Sequence, residues 1–276
     1  MGDFLFALRS CLGFLTTIPV GISMEGLAAL GRRLYLFPVV GVLVGVLVGV
    51  LGLIFGLVLP PAIASVVTIV AMYYLTGINH LDGLADFGDG VVAHGSREKK
   101  IGAMRDVSLG IGGVVFCVIV ILGLFAAIGE VLCVGGGGVA VPGGYLIGCI
   151  GGYFDTTGCG FLMAMVAAEV SAKQAMLTIS AFGKSIHPGL GSIMIDGTGL
   201  REFGVGLLFS AAVCWVVLAG VGLLVLGCTV CVAFVVLGVA NRNFGGISGD
   251  VIGATNEIAR VVALIVAGVC ATMQAF

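Results

Sequence analysis

The chain has 276 residues, 60% of them apolar and 9% charged, with a mean hydropathy of +1.26 and a formal net charge of −2. Several apolar runs approach or exceed the roughly 20 residues that cross a bilayer, and no stretch of mixed composition is longer than a loop, so a large soluble core is excluded. No basic tract goes beyond Arg97-Glu98-Lys99-Lys100, so nothing points to a nucleic-acid partner.

From the N-terminus, Met1 to Val20 carries Asp3 and Arg9 and lacks a small-residue cleavage site, which reads as mature protein and not a signal peptide. Phe4, Leu5, Leu8, Cys11, Leu12 and Leu15 recur at helical spacing. They predict a helix over residues 3–17, either lying in the membrane interface or buried as a short helix of the bundle; residues 1–33 are read as an N-terminal interfacial segment. Spans are predicted at about 34–59, 62–79, 110–130, 143–168, 204–226, 229–240 and 252–273. The sixth is short: a tilted or half-crossing element, or the second arm of a hairpin with the fifth, turning near Gly227. The expected fold is an all-α polytopic transmembrane bundle of six or seven spans, one integral membrane domain over 1–276, with short cytoplasmic helices and loops carrying the site. Oligomeric state is left open, a homo-oligomer included.

With the N-terminus inside, eleven of the twelve Lys and Arg fall in inner segments: Arg9, Arg32, Arg33, Arg97, Lys99, Lys100, Arg105, Lys173, Lys184, Arg201 and Arg242. The twelfth, Arg260, lies within the last span, with Glu257 at i−3 as its natural partner. This orientation gathers residues 20–33, 77–109, 169–203 and 241–251 on the cytoplasmic side. Asp155, deep in the fourth span, needs a polar partner in the bundle or a place in a substrate cavity.

Gly41, Gly45 and Gly49 recur every four residues in the first span and mark a helix-packing face. Gly135 to Gly138 is no phosphate loop, because no strand precedes it and no Lys-Ser/Thr follows. Gly189-Leu190-Gly191 and Gly245-Gly246-Ile247-Ser248-Gly249-Asp250 lie in inner segments, where backbone amides can approach phosphate oxygens. Most of the nine cysteines are scattered through apolar segments as small hydrophobes, and Cys228-x-x-Cys231 has neither a second pair nor a neighbouring histidine.

The chemistry concentrates in Asn79-His80-Leu81-Asp82-Gly83-Leu84-Ala85-Asp86-Phe87-Gly88-Asp89-Gly90. At about 100° per residue, a helix places Asp86 about 40° ahead of Asp82 and Asp89 about 20° behind it, so the three carboxylates share a face. Such a cluster repels itself unless a cation binds, and carboxylate oxygens are the donors that Mg²⁺ or Mn²⁺ prefers. Asp82, Asp86 and Asp89 are therefore the expected metal ligands of a phosphate site. Arg105 suits a phosphate, and Asp106 a second metal contact or a general base. His80 adjoins the acidic face, with a structural hydrogen bond and a catalytic role both open. Asp250, Asn256 and Glu257, near the last inner turn, complete the coordination, or bind ribose and base, or instead cap a helix and pair Glu257 with Arg260.

These blocks resemble the cobalamin synthase family, the adenosylcobinamide-GDP ribazoletransferases. The resemblance rests on Gly77 to Asp86 with Asp89-Gly90, Met104-Arg105-Asp106, Leu109-Gly110, Phe14 to Pro19, Phe37 to Gly41, Gly189-Leu190-Gly191 and Gly245 to Glu257. It implies a multi-pass cell-membrane enzyme, Mg²⁺-dependent, whose site faces the cytoplasm. The reaction it implies joins adenosylcobinamide-GDP to α-ribazole or its 5′-phosphate and releases GMP, with Asp82, Asp86, Asp89 and Asp106 catalytic and His80, Arg105, Asp250, Asn256 and Glu257 contacting substrate. The chain departs from the family pattern at Ser108 and at Tyr153-Phe154-Asp155, where many members carry an arginine, so phosphate contacts from those arginines do not transfer. Two other readings are a CDP-alcohol phosphotransferase-like enzyme, whose D-x-x-D-G-x-x-A-R pattern is not reproduced, and an ion-coupled transporter using Asp155, Glu257 and Arg260.

Overall fold

A computed structural model of the chain describes residues 2–133 and 159–274. Among these residues the regular structure is eleven helices: α1 Gly2–Leu15, α2 Met24–Gly31, α3 Leu36–Val58, α4 Pro61–Thr76, α5 Asn79–Val92, α6 Arg97–Met104, α7 Ile111–Leu132, α8 Cys159–Phe182, α9 Leu190–Asp196, α10 Leu200–Phe244 and α11 Gly249–Gln274. Five of them, α3, α7, α8, α10 and α11, are long and apolar enough to cross a membrane. The chain is a multi-pass helical membrane protein, as its composition requires. α4 has 16 residues, about 24 Å of helix, and falls short of a full crossing by itself. At Gly77, whose φ of 72° suits glycine, the chain turns, and α5 leaves α4 at 96°. α5 thus lies across the end of the bundle instead of continuing through it.

α8 is the central helix, with α3, α10 and α11 packed around it. The glycine face of α3 is what lets the first of these approach. A Cβ on Gly45 would stand 2.6 Å from the Val166 Cα, and one on Gly41 would stand 2.9 Å from the Glu169 carbonyl oxygen. Gly49 meets Leu162 in the same way. Backbone-to-backbone packing of this kind replaces the hydrophobic driving force that water supplies to soluble bundles.

Two expected boundaries are corrected. The fourth span runs on to Phe182 instead of ending at 168; residues 143–158 of the expected span, Asp155 among them, lie outside the described residues. Lys173, expected in an inner loop, is therefore fully buried inside α8. The fifth and sixth spans do form a hairpin, but it folds at Ala219 (φ 44°, ψ −126°) and not near Gly227. Phe203 and Phe234, on its two arms, both pack against Phe182, with ring centroids 5.1 and 5.2 Å away. Next to the fold, Gly222 sits against the Cys214 backbone, where a Cβ has no room.

These reversals bring the polar segments to one end. The Ile247 amide donates to the Lys184 carbonyl at 2.8 Å, and Ile186 to Ile247 at 3.1 Å; Thr17 likewise donates to Leu75 at 2.7 Å. α1 buries Ala7, Cys11 and Leu15 against its neighbours and leaves Phe4 and Leu5 exposed. It is a helix of the bundle with one free apolar face.

Replacing Gly45 with Val should destabilise the fold by about 1–3 kcal/mol or more, because the new atoms meet α8 backbone. Gly238→Ala, at a position with nothing within 4 Å, should leave the thermal midpoint in detergent unchanged or raise it. Equal melting of the two variants would show that α3 and α8 do not meet through this face.

Candidate active site

α5 is rich in glycine for a helix, and three of its glycines are contact points. A Cβ on Gly83 would stand 2.9 Å from the Asp250 Cα, one on Gly88 2.9 Å from the Gly112 carbonyl oxygen, and one on Gly90 2.9 Å from Phe244 and Met104 side chains. α5 is thereby wedged between α11 and α7. Of residues 82–90 only Asp82, Asp86 and Asp89 are not buried: Asp82 is exposed, the other two half-buried. The expected acidic face exists.

A fourth carboxylate joins it. The close approach at Gly83 sets Asp250, at the start of α11, beside the face, and its Oδ2 accepts a hydrogen bond from Ser248 Oγ at 3.1 Å. Burial pushes the Asp86 carboxyl up to about 6, and the charges of Asp250, Asp82 and Asp89 push in the same direction. None of the four forms an ion pair among the described residues. Nor do any three His, Cys, Asp or Glu side chains there close on a common point at which a metal ion would be held.

The four are not equivalent. Asp89 accepts from the Gly110 amide at 2.7 Å through Oδ2 and from the Gly113 amide at 2.8 Å through Oδ1. It satisfies two orphan donors at the N-terminus of α7, where the helix dipole favours negative charge. Asp106 stands apart on an exposed turn, where its Oδ1 accepts from the Ser108 amide at 2.9 Å. That bond holds its carboxyl below the usual range, and Asp106 is not among the charges that act on Asp86. Arg105 is likewise exposed.

Beside Asp250 opens a cavity of about 370 Å³, with Asn79, His80 and Asp250 on its polar side and Phe14, Phe37 and Met194 among its apolar lining. It has the size and mixed character of a small-molecule site. His80 links this cavity to the interior. Lys173 Nζ donates to Asn256 Oδ1 at 2.7 Å, which turns the amide so that Nδ2 faces Glu257 Oε1 at 2.8 Å and His80 Nδ1 at 3.4 Å. Nδ1 is then an acceptor, and the imidazole proton sits on Nε2. Burial, with Lys173 and Arg260 nearby, pushes the His80 pKa down to about 3, so the ring is neutral.

Asn256 and Glu257 are not on the last polar turn, where their sequence position suggests. They are buried in α11. The expected Glu257–Arg260 pair forms at 2.7 Å, but Arg260 also reaches Glu169 of α8 at 2.5 Å, Glu169 holds Lys173 at 3.2 Å, and Tyr73 of α4 donates to Glu257 at 2.9 Å. Two carboxylates and two cations make a neutral, fully buried set. Sequence reading missed Glu169, Lys173 and Tyr73, although Glu169 and Lys173 carried a signal: i, i+4 spacing in a stretch with no Gly or Pro before Gly183.

A membrane bundle that gathers carboxylates on one face, with Asp250 among them lining a mixed cavity, has the parts of a membrane-embedded enzyme for a polar substrate. The chain belongs to the cobalamin-5-phosphate synthase family, whose family model matches residues 7–268; it is a transferase of cobalamin biosynthesis. Its relatives include proteins named adenosylcobinamide-GDP ribazoletransferase. That of Methanococcoides burtonii is 42% identical, over 99% of this chain and 95% of its own. That of Methanosarcina barkeri is 43% identical, over 98% and 94%, and that of Pyrococcus abyssi 31% identical, over 94% and 96%. No solved structure matches the chain. Family membership sets aside the phosphotransferase-like and transporter readings.

Replacing Arg260 with Met leaves Glu169 and Glu257 buried without their guanidinium and should destabilise the bundle by about 3–5 kcal/mol. Thermal unfolding in detergent measures this; a shift equivalent to less than about 1 kcal/mol would mean that the network does not hold α8 to α11.

Proposed function

We propose that the chain transfers the adenosylcobinamide-phosphate group of adenosylcobinamide-GDP to a ribose hydroxyl of α-ribazole, or of its 5′-phosphate, on the cytoplasmic face of the cell membrane. In this step the hydroxyl oxygen bonds to the phosphorus that carries the cobinamide, the bond from that phosphorus to the oxygen of GMP breaks, and the hydroxyl proton passes to a carboxylate. The observation that carries this reading is the acidic face of α5, Asp82 and Asp86, set beside Asp250, which itself lines the His80 cavity.

A divalent cation fits the donor set. The carboxylates are hard oxygen ligands, the charges of Asp250, Asp82 and Asp89 help raise the proton affinity of Asp86, and no protein cation pairs with them among the described residues. Because three do not converge on one point, one or two would hold Mg²⁺, with substrate phosphate oxygens completing its shell. Bound there, Mg²⁺ would neutralise charge on the diphosphate. Asp89 is committed to two amides and Asp106 to Ser108. Asp82, Asp86 and Asp250 therefore share the roles of ligand and proton acceptor.

His80, neutral and protonated at Nε2, serves as a hydrogen-bond donor to substrate and adds no charge. The apolar wall of the cavity, with Phe14 and Phe37 stacked at 6.1 Å, suits the planar base of α-ribazole. The cytoplasmic orientation is supported by the basic residues at the site end. The Pro60-Pro61 turn at the opposite end carries no Lys or Arg.

GMP release from adenosylcobinamide-GDP and α-ribazole, followed in lipid vesicles, tests the proposal. Turnover should require Mg²⁺ and stop with EDTA. Asp82→Asn, Asp86→Asn and Asp250→Asn should each lower the rate by at least about 100-fold with the fold intact, while Asp106→Asn keeps most of it. Metal-independent turnover, or a wild-type rate in Asp82→Asn, would remove this mechanism.

A further inference from the structure

A second polar concavity lies away from the acidic face. Arg32, Arg33 and Arg201 surround it with Tyr35 and Glu202; its volume is about 260 Å³, and it shares no residue with the His80 cavity. The two consecutive arginines occupy the turn between α2 and α3, and Arg201 is in the first turn of α10. Gly206 allows this meeting: a Cβ there would stand 2.2 Å from the Leu177 side chain and 3.6 Å from the Tyr35 Cα.

Three positive charges are thus held around one hollow. The one carboxylate there, Glu202, offsets one of them and is engaged with the Gly199 amide at 3.0 Å as the cap of its own helix, which leaves a net positive hollow. Among the described residues none of the three arginines is in an ion pair, and their one side-chain hydrogen bond runs from Arg33 Nη1 to the Ala29 carbonyl at 3.3 Å. The bias of basic residues toward inner loops accounts for their presence but not for their convergence.

What lies next to the hollow identifies the ligand. Tyr35 immediately precedes the α3 span, at the depth where aromatic side chains meet lipid headgroups. On α10, Val205 and Leu208 stand four and seven residues after Arg201, on the same face, and are 45% and 75% exposed. Charge therefore sits directly above a bare apolar strip. We propose that this concavity binds the phosphate of an anionic phospholipid, with guanidinium forks on its oxygens and a hydrocarbon tail along Val205 and Leu208. The site is separate from the transfer reaction and does not depend on that reading.

Native mass spectrometry of the full chain in a non-ionic detergent tests it, with dioleoylphosphatidylglycerol, dioleoylphosphatidylcholine, glycerophosphoglycerol and inorganic phosphate as probes. One phosphatidylglycerol should bind at least about tenfold more tightly than the other three, and Arg32→Gln/Arg33→Gln/Arg201→Gln should lose at least about tenfold of that affinity. Unchanged phosphatidylglycerol binding in the triple variant would overturn the site, and equal binding of the two lipids would overturn its charge selectivity. Glycerophosphoglycerol or phosphate binding as tightly as the lipid would overturn the lipid assignment in favour of a soluble phosphate. Helical circular dichroism and lipid-free melting check that the variant folds. If it does not, the exposed Arg201→Gln alone decides, with a several-fold loss expected and no loss overturning the proposal.

Discussion

Four buried charges govern how this bundle assembles. Glu169 and Lys173 on α8 and Glu257 and Arg260 on α11 are each within 1% of complete burial, in surroundings where a lone charge is very costly. The set is neutral only when α8 and α11 sit in one register, with Arg260 between the two carboxylates. Tyr73 brings α4 into the same network, and Asn256 extends it to His80 at the start of α5. Hydrophobic contacts between membrane helices tolerate sliding; this arrangement does not. The position of the chemical end is thereby tied to the core.

Close helix approach does the rest. α5 crosses the end of the bundle because Gly77 turns the chain, and it stays there because Gly83 and Gly88 let the backbones of α11 and α7 come up on either side. Phe87 points inward, with its ring edge-on to Phe116 and Phe244 at 6.1 and 6.0 Å. With glycines and Phe87 used for packing, the aspartates occupy the remaining face. Asp89 shows how one motif serves two ends: it shares that face and also fastens α7 by its first amides.

Much of this was legible. The all-α membrane class followed from composition, the α3 packing face from glycine spacing, and the acidic face from the interval between Asp82, Asp86 and Asp89. The errors share a cause, because polarity and glycine were read as punctuation. Glu169, Ser171, Lys173 and Gln174 looked like a loop, yet all are buried within α8, since paired charges carry no loop signal and no span signal. Gly227 looked like a turn but lies within a helical arm, while the actual fold is at Ala219, a residue type without turn preference. For Asp250 the sequence leaves coordination, substrate contact and capping all open, because its place beside Asp86 depends on a helix crossing that one strand of sequence does not display.

The cations of the site end are mostly committed, and this shapes the chemistry. Lys100 donates to the Val91 carbonyl at the end of α5 and to Asn243 at the end of α10, at 3.2 and 2.9 Å, and Arg97 reaches the Asn241 carbonyl at 3.5 Å. These positions, at helix C-termini, are where the backbone dipole favours positive charge. Lys173 and Arg260 are spent in the core, and Arg32, Arg33 and Arg201 line a different hollow. Lys99 and Arg105 of the same segment stand exposed without such a bond among the described residues. A diphosphate approaching Asp82, Asp86 and Asp250 would therefore meet net negative charge. On the proposed function, such repulsion opposes a bare diphosphate and is relieved when positive charge arrives with the substrate. On that reading, the same acidic face would accept a diphosphate that carries a divalent ion more readily than a bare one, a discrimination that precedes any bond breaking.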